Sequence, residues 1–141
     1  MSAAYDRPDD PFELPIPETS KRRSREQSQL EFELDFLGRV LERDPLFGDA
    51  LKVHADNLAA KGYYNRALQA DLQLVRLRPD RPIPWYNLGC SYALLGMTDR
   101  AFESLERALR LGYGHIHHLR RDPDLKSLRR DPRFSRLLRR Y

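Results

Sequence analysis

The architecture of this chain can be read from Ile83-Pro-Trp-Tyr-Asn-Leu-Gly-Cys-Ser-Tyr-Ala-Leu-Leu-Gly96. Trp85, Leu88, Gly89 and Tyr92 recur at spacings of three and four, which places them on one face of an α-helix. A small residue among bulky ones lets another helix approach closely while its neighbours fill the space around the crossing. Gly96 then marks a turn, and Asp99–Leu111 reads as a second helix with Ala101, Leu105 and Ala108 inside. Thr98 or Asp99 is expected to cap that helix, and Gly112-Tyr113-Gly114 to close it.

The same pattern lies 34 residues upstream. Pro45 and Pro79, Gly62 and Gly96, and Ala67 and Ala101 are each 34 apart, and Ala55 and Gly89 keep the register with small residues. The earlier unit reads as helix Gly48–Lys61, a turn at Gly62, and helix Asn65–Leu77. A period of this length marks a repeat architecture, in which each unit buries its apolar face on the next. An amphipathic helix over residues 27–43 precedes both units. Leu30, Leu34, Leu37 and Leu41 form one stripe on it, and Phe32, Phe36 and Val40 a second. Together they are wider than one neighbour needs, so contact with a second copy through 27–43 is one expectation.

The motif Trp-x2-Leu-Gly-x2-Tyr, followed by Ala in the second helix, resembles the tetratricopeptide repeat. Trp85, Leu88, Gly89, Tyr92 and Ala101 match it, while Leu105 stands where the family often has Phe and Tyr113 where it usually has Pro. The first unit is further from the pattern, with Leu51 for Trp, His54 for Leu and Ala55 for Gly. The resemblance covers about residues 30–115. It implies an all-α, short solenoid of antiparallel helix hairpins with repeats at 48–81 and 82–115. The remaining segment, 116–141, reads as an Arg-rich helical cap. Its run Asp-Pro-Asp-Leu-x2-Leu-Arg-x-Asp-Pro-Arg-Phe is similar to the one that closes groups of bacterial tetratricopeptide repeats. Asp122-Pro123 and Asp131-Pro132 each supply an N-cap and a proline at the first helical position, predicting short helices near 123–130 and 132–140.

Composition limits the rest. The chain has 141 residues, 33% charged and 40% apolar, which suits one small domain. No apolar run approaches the ~20 residues of a membrane span. Residues 1–26 are Pro-rich and charged and read as a disordered tail, although Phe12, Leu14 and Ile16 alternate and suit an extended strip in a groove. The single cysteine and the absence of a secretory stretch near Met1 imply a cytoplasmic protein.

Catalytic and metal chemistry find little support. Cys90 has no histidine fixed beside it, and His115, His117 and His118 lack the spacing and number of zinc ligands. No Gly-rich phosphate loop and no acid–base pair of carboxylates stand out, so neither enzyme activity nor a cofactor is expected.

Binding remains. The resemblance implies that the first helix of each repeat lines a concave groove, which would hold a peptide or protein segment of an unknown partner. The groove-facing residues are then Asp49, Lys52, Val53 and Asp56 in the first unit and Ile83, Tyr86, Asn87, Cys90 and Leu94 in the second. Asn87 matches an asparagine that relatives use to hold a peptide backbone. The alternative is a nucleic-acid accessory role through Arg120, Arg121, Arg129, Arg130, Arg133, Arg136 and Arg140, since residues 107–141 hold eleven basic side chains against three acidic.

Overall fold

The computed structural model describes residues 18–44 and 48–141, with side chains from residue 25 onward. Among these every regular element is helical. Helix α1 (Glu18–Arg43) leads into the hairpin of α2 (Gly48–Ala60) and α3 (Tyr64–Leu77). The hairpin of α4 (Pro82–Leu94) and α5 (Thr98–Arg110) follows. Helix α6 (Ile116–Arg121), a 3-10 turn (Pro123–Leu128) and α7 (Pro132–Arg140) complete the chain. Helices adjacent in sequence pack against each other from α1 to α5, and the 3-10 turn packs on α4.

The hairpin turns follow from glycine. Gly62, Gly96 and Gly112 all have positive φ, at 87°, 72° and 98°. Each lets the chain reverse while the residue after it returns a hydrogen bond into the last helical turn. Tyr63 N–H donates to Leu58, Met97 to Tyr92, and Tyr113 to Ala108. These are Schellman closures, and they need a residue that enters the left-handed region without a Cβ penalty.

Packing within a unit depends on the small residues. An added Cβ at Gly89 would lie 2.9 Å from Cγ and Cδ2 of Leu105, so α4 and α5 are in direct contact there. Ala101, Leu105 and Ala108 are fully buried in that contact. The first hairpin has its own cluster of Leu51, Ala55, Leu58, Ala67, Ala70 and Leu74, with Leu34 and Leu41 of α1 packed on it.

Three expectations are corrected. The leading helix begins at Glu18 rather than near residue 27, directly after Pro17 and with no further proline before Pro45 to break it. The tail expected at 1–26 therefore lies outside the described residues only up to residue 17. The segment after Asp122 is a 3-10 turn, not an α-helix. Two Asp-Pro caps nine residues apart leave little room, and i→i+3 bonding aligns Leu125 with Leu128, both fully buried. No side chain caps α5: its N-cap is Met97, and Thr98 lies inside the helix. Asp122 and Asp131 do cap, accepting from the backbone N–H of Asp124 and Arg133.

The two stripes of α1 have different fates. Leu34 and Leu41 meet the first hairpin, whereas Phe32 and Phe36 remain 64% and 54% exposed, their rings stacked 6.2 Å apart.

Candidate functional site

The inner surface forms where residues of α2 and α4 line a common cavity, and the C-terminal segment folds back over part of it. Asp122 makes that fold-back specific. Its Oδ2 accepts from the Tyr86 hydroxyl at 2.5 Å and lies 3.8 Å from the Cys90 thiol and 3.1 Å from His118 Nε2. Its Oδ1 accepts from Asp124 N–H. The Tyr86 ring is also stacked on Tyr113, with centroids 4.2 Å apart and planes 9° from parallel. That contact accounts for a tyrosine where the repeat pattern has proline: its ring covers α4.

This arrangement divides the nine groove residues anticipated from the sequence. Tyr86 and Cys90 are buried, at 4% and 7% exposure, with Asp122 of the C-terminal segment against them. Asp49 pairs with Arg78 at 3.1 Å, and Lys52 with Asp56 at 3.5 Å. Val53 and Ile83 are exposed but lie outside the remaining cavity. That cavity, about 240 Å³, is lined by Asp56, Tyr86, Asn87, Cys90 and Leu94 from the anticipated set. Asp71, Ser91, His118, Asp122 and Asp124 are among the residues that complete it.

The added residues make the cavity acidic. Asp71 is 4% exposed and accepts from Ser91 Oγ at 2.5 Å. Burial pushes its pKa up to about 7, the Ser91 bond working against this and the nearby Asp56 charge adding to it. Burial, and then the Asp122 charge, likewise raise Asp124. One signal of this was available in the sequence. Asp71 stands 34 residues before Leu105, so a charge occupies a register position that is fully buried in the next unit. Asp122 was legible only as a helix cap.

The same geometry bears on chemistry. Burial, then the carboxylates of Asp122 and Asp124, drive the Cys90 thiol well above its ordinary value, the reverse of what activates a nucleophile. Cys90, Asp122 and Asp124 bring three potential metal-ligating atoms within 4.8 Å of one another. Yet both Asp122 oxygens already accept hydrogen bonds, so the group reads as a lock on the C-terminal segment. His115 packs edge-on against Tyr113, and His118 is held by Asp122.

Several of the anticipated arginines are already engaged within the chain. Arg133 pairs with Asp131 at 2.9 Å and Asp99 at 2.7 Å, and Arg140 with Glu106 at 3.4 Å. Arg129 donates to the carbonyls of Arg120 and Asp122. Arg136 shares a cavity with Asp99, Glu103 and Glu106. Arg120, Arg121 and Arg130 are exposed on α6 and beyond the 3-10 turn.

Stacked helix hairpins with glycine closures and a small-residue crossing define a helical-repeat protein. Residues 84–111 match the family model of the tetratricopeptide repeat. It is similar to a chloroplastic protein of Arabidopsis thaliana, with 31% identity over 83 residues, covering 57% of this chain and 25% of that protein. It is also similar to the Cell division cycle protein 16 homologs of Mus musculus and Homo sapiens, each 31% identical over 78 residues, covering 53% of this chain and 13% of theirs. The chain thus spans a quarter or less of the length of these relatives. No described helix is long and apolar enough to cross a membrane.

Proposed function

We propose that this chain is a non-catalytic adaptor whose inner cavity takes a polypeptide segment through a lysine or arginine side chain. The observation that carries this reading is the cavity between α2, α4 and the C-terminal segment. Asp56, Asp71, Asp122 and Asp124 converge there beside the half-buried Asn87. A cation entering this space gains from several carboxylates at once and relieves the cost of the buried Asp71. Asn87 supplies a donor and an acceptor to a passing backbone. Lys52, paired with Asp56 at the rim, is the internal cation that a ligand would displace.

The test is a peptide array on an invariant apolar frame, with the central residue varied among Lys, Arg, Ala and Glu. The Lys and Arg members are expected to bind the wild-type chain at least tenfold tighter than the Glu member. Asp56→Lys combined with Asn87→Ala is expected to abolish that preference. Equal binding of Lys and Glu members would remove the proposal. The nucleic-acid alternative has less behind it, because Arg133 and Arg140 are already engaged by acidic side chains of α5 and its surroundings.

A further inference from the structure

A second slot lies on the opposite side of the solenoid, between α3 and α5 with α4 as its floor. It encloses about 540 Å³. Leu72, Val75, Trp85 and Leu88 give it an apolar base. Its rim carries Arg76, Arg100 and Arg107 against one acid, Glu103. Arg107 lies over the Trp85 ring at 5.7 Å, while Arg76 and Arg100 are exposed and make no salt bridge among the described residues. An apolar base under a cationic rim fits an extended acidic segment bearing bulky apolar side chains.

One segment of this chain has that chemistry. Residues 6–17 read Asp-Arg-Pro-Asp-Asp-Pro-Phe-Glu-Leu-Pro-Ile-Pro, with four acidic side chains, one basic, and Phe12, Leu14 and Ile16 alternating. The carboxylates lining the inner cavity repel such a segment, so charge directs it to the outer slot.

Reach decides between the chain's own slot and another's. Helix α1 is antiparallel to α2, since Glu31 meets Lys61 and Glu33 meets Asn57, so it runs parallel to α3. By the 34-residue register, Leu72 lies level with Gly38, twenty residues along α1 from Glu18, or about 30 Å. Phe12 is six residues before Glu18 and spans at most about 21 Å when extended. We infer that residues 6–17 of one copy dock into the α3–α4–α5 slot of a second copy.

The probe is a fluorescent peptide of residues 6–17, titrated against the full-length chain by anisotropy. Saturable binding is expected, weakening at least tenfold for Arg76→Glu with Arg100→Glu and falling as salt rises. A peptide with Asp9, Asp10 and Glu13 changed to Lys is expected to bind the wild-type chain at least tenfold more weakly and to recover on the Glu variant. That arm keeps the test valid if the double variant folds poorly. Sedimentation of the full-length chain is expected to show association lost with Phe12→Ser and Leu14→Ser. A monomer at all concentrations, insensitivity of peptide affinity to the arginine changes, or equal binding by a scrambled peptide would each overturn the inference.

Discussion

Tyr86 and Asp122 are 36 residues apart in sequence, yet the tyrosine hydroxyl donates to the aspartate carboxylate at 2.5 Å in a buried contact. This bond joins the first helix of the second hairpin to the C-terminal segment. It also sets where the inner surface stops being open. Asp122 simultaneously starts the 3-10 turn through Asp124 N–H, so one carboxylate fixes both the path and the docking of the last quarter of the chain.

Removing either partner should loosen that segment. Tyr86→Phe removes the shortest of the contacts to Asp122 Oδ2, leaving His118 and Cys90, and Asp122→Ala strands the hydroxyl, each at a cost of about 1–3 kcal/mol. The double variant is expected to cost less than the sum, because the two changes share one bond. Urea unfolding of the four proteins measures the coupling; strict additivity would show that the bond contributes nothing.

Asp71 should make the fold more stable in mild acid. Its folded pKa, about 7, lies above its ordinary value of 3.8, so the folded chain binds the proton more tightly. The contribution of Asp71 to stability is therefore full below pH 4, falls as pH rises toward 7 by up to about 4 kcal/mol, and levels beyond. Asp71→Asn keeps an acceptor for Ser91 and is expected to flatten this slope while stabilising the chain at pH 8. Thermal unfolding across pH 4–8 tests both, and an unchanged slope in the variant would assign the dependence elsewhere.

The same group links the cavity to pH. A bound lysine or arginine favours ionised Asp71, so binding releases a proton and affinity should climb between pH 6 and 8. Titrating the Lys-bearing peptide at several pH values checks the direction; constant affinity would place the cation away from Asp71.

Glycines of similar appearance should respond differently. Gly89→Ala forces a methyl against the fully buried Leu105 and is expected to cost about 1–3 kcal/mol. Gly48→Ala meets only the guanidinium end of the half-exposed Arg78, which swings aside. Gly96→Ala has open space but a φ of 72°, and should cost about 1–2 kcal/mol from the backbone alone. Calorimetric melting of the three variants is expected to show Gly48→Ala as the mildest.

The repeats were legible in the amino-acid sequence alone. The spacing of Trp85, Leu88, Gly89 and Tyr92, and glycines 34 apart, follow from helix periodicity and turn geometry, which act over a few residues. The caps at Asp122 and Asp131 were legible for the same reason. Which inner residues stay open depended instead on how the helices pack. Tyr86 and Cys90 look available on an isolated helix, and their burial depends on a segment more than thirty residues further along. Nor does helical periodicity reveal that Asp71, Asp122 and Asp124 converge on one cavity, because they come from two regions of the chain about fifty residues apart. Charge acts through space, and its balance at a site is set only when the helices have stacked.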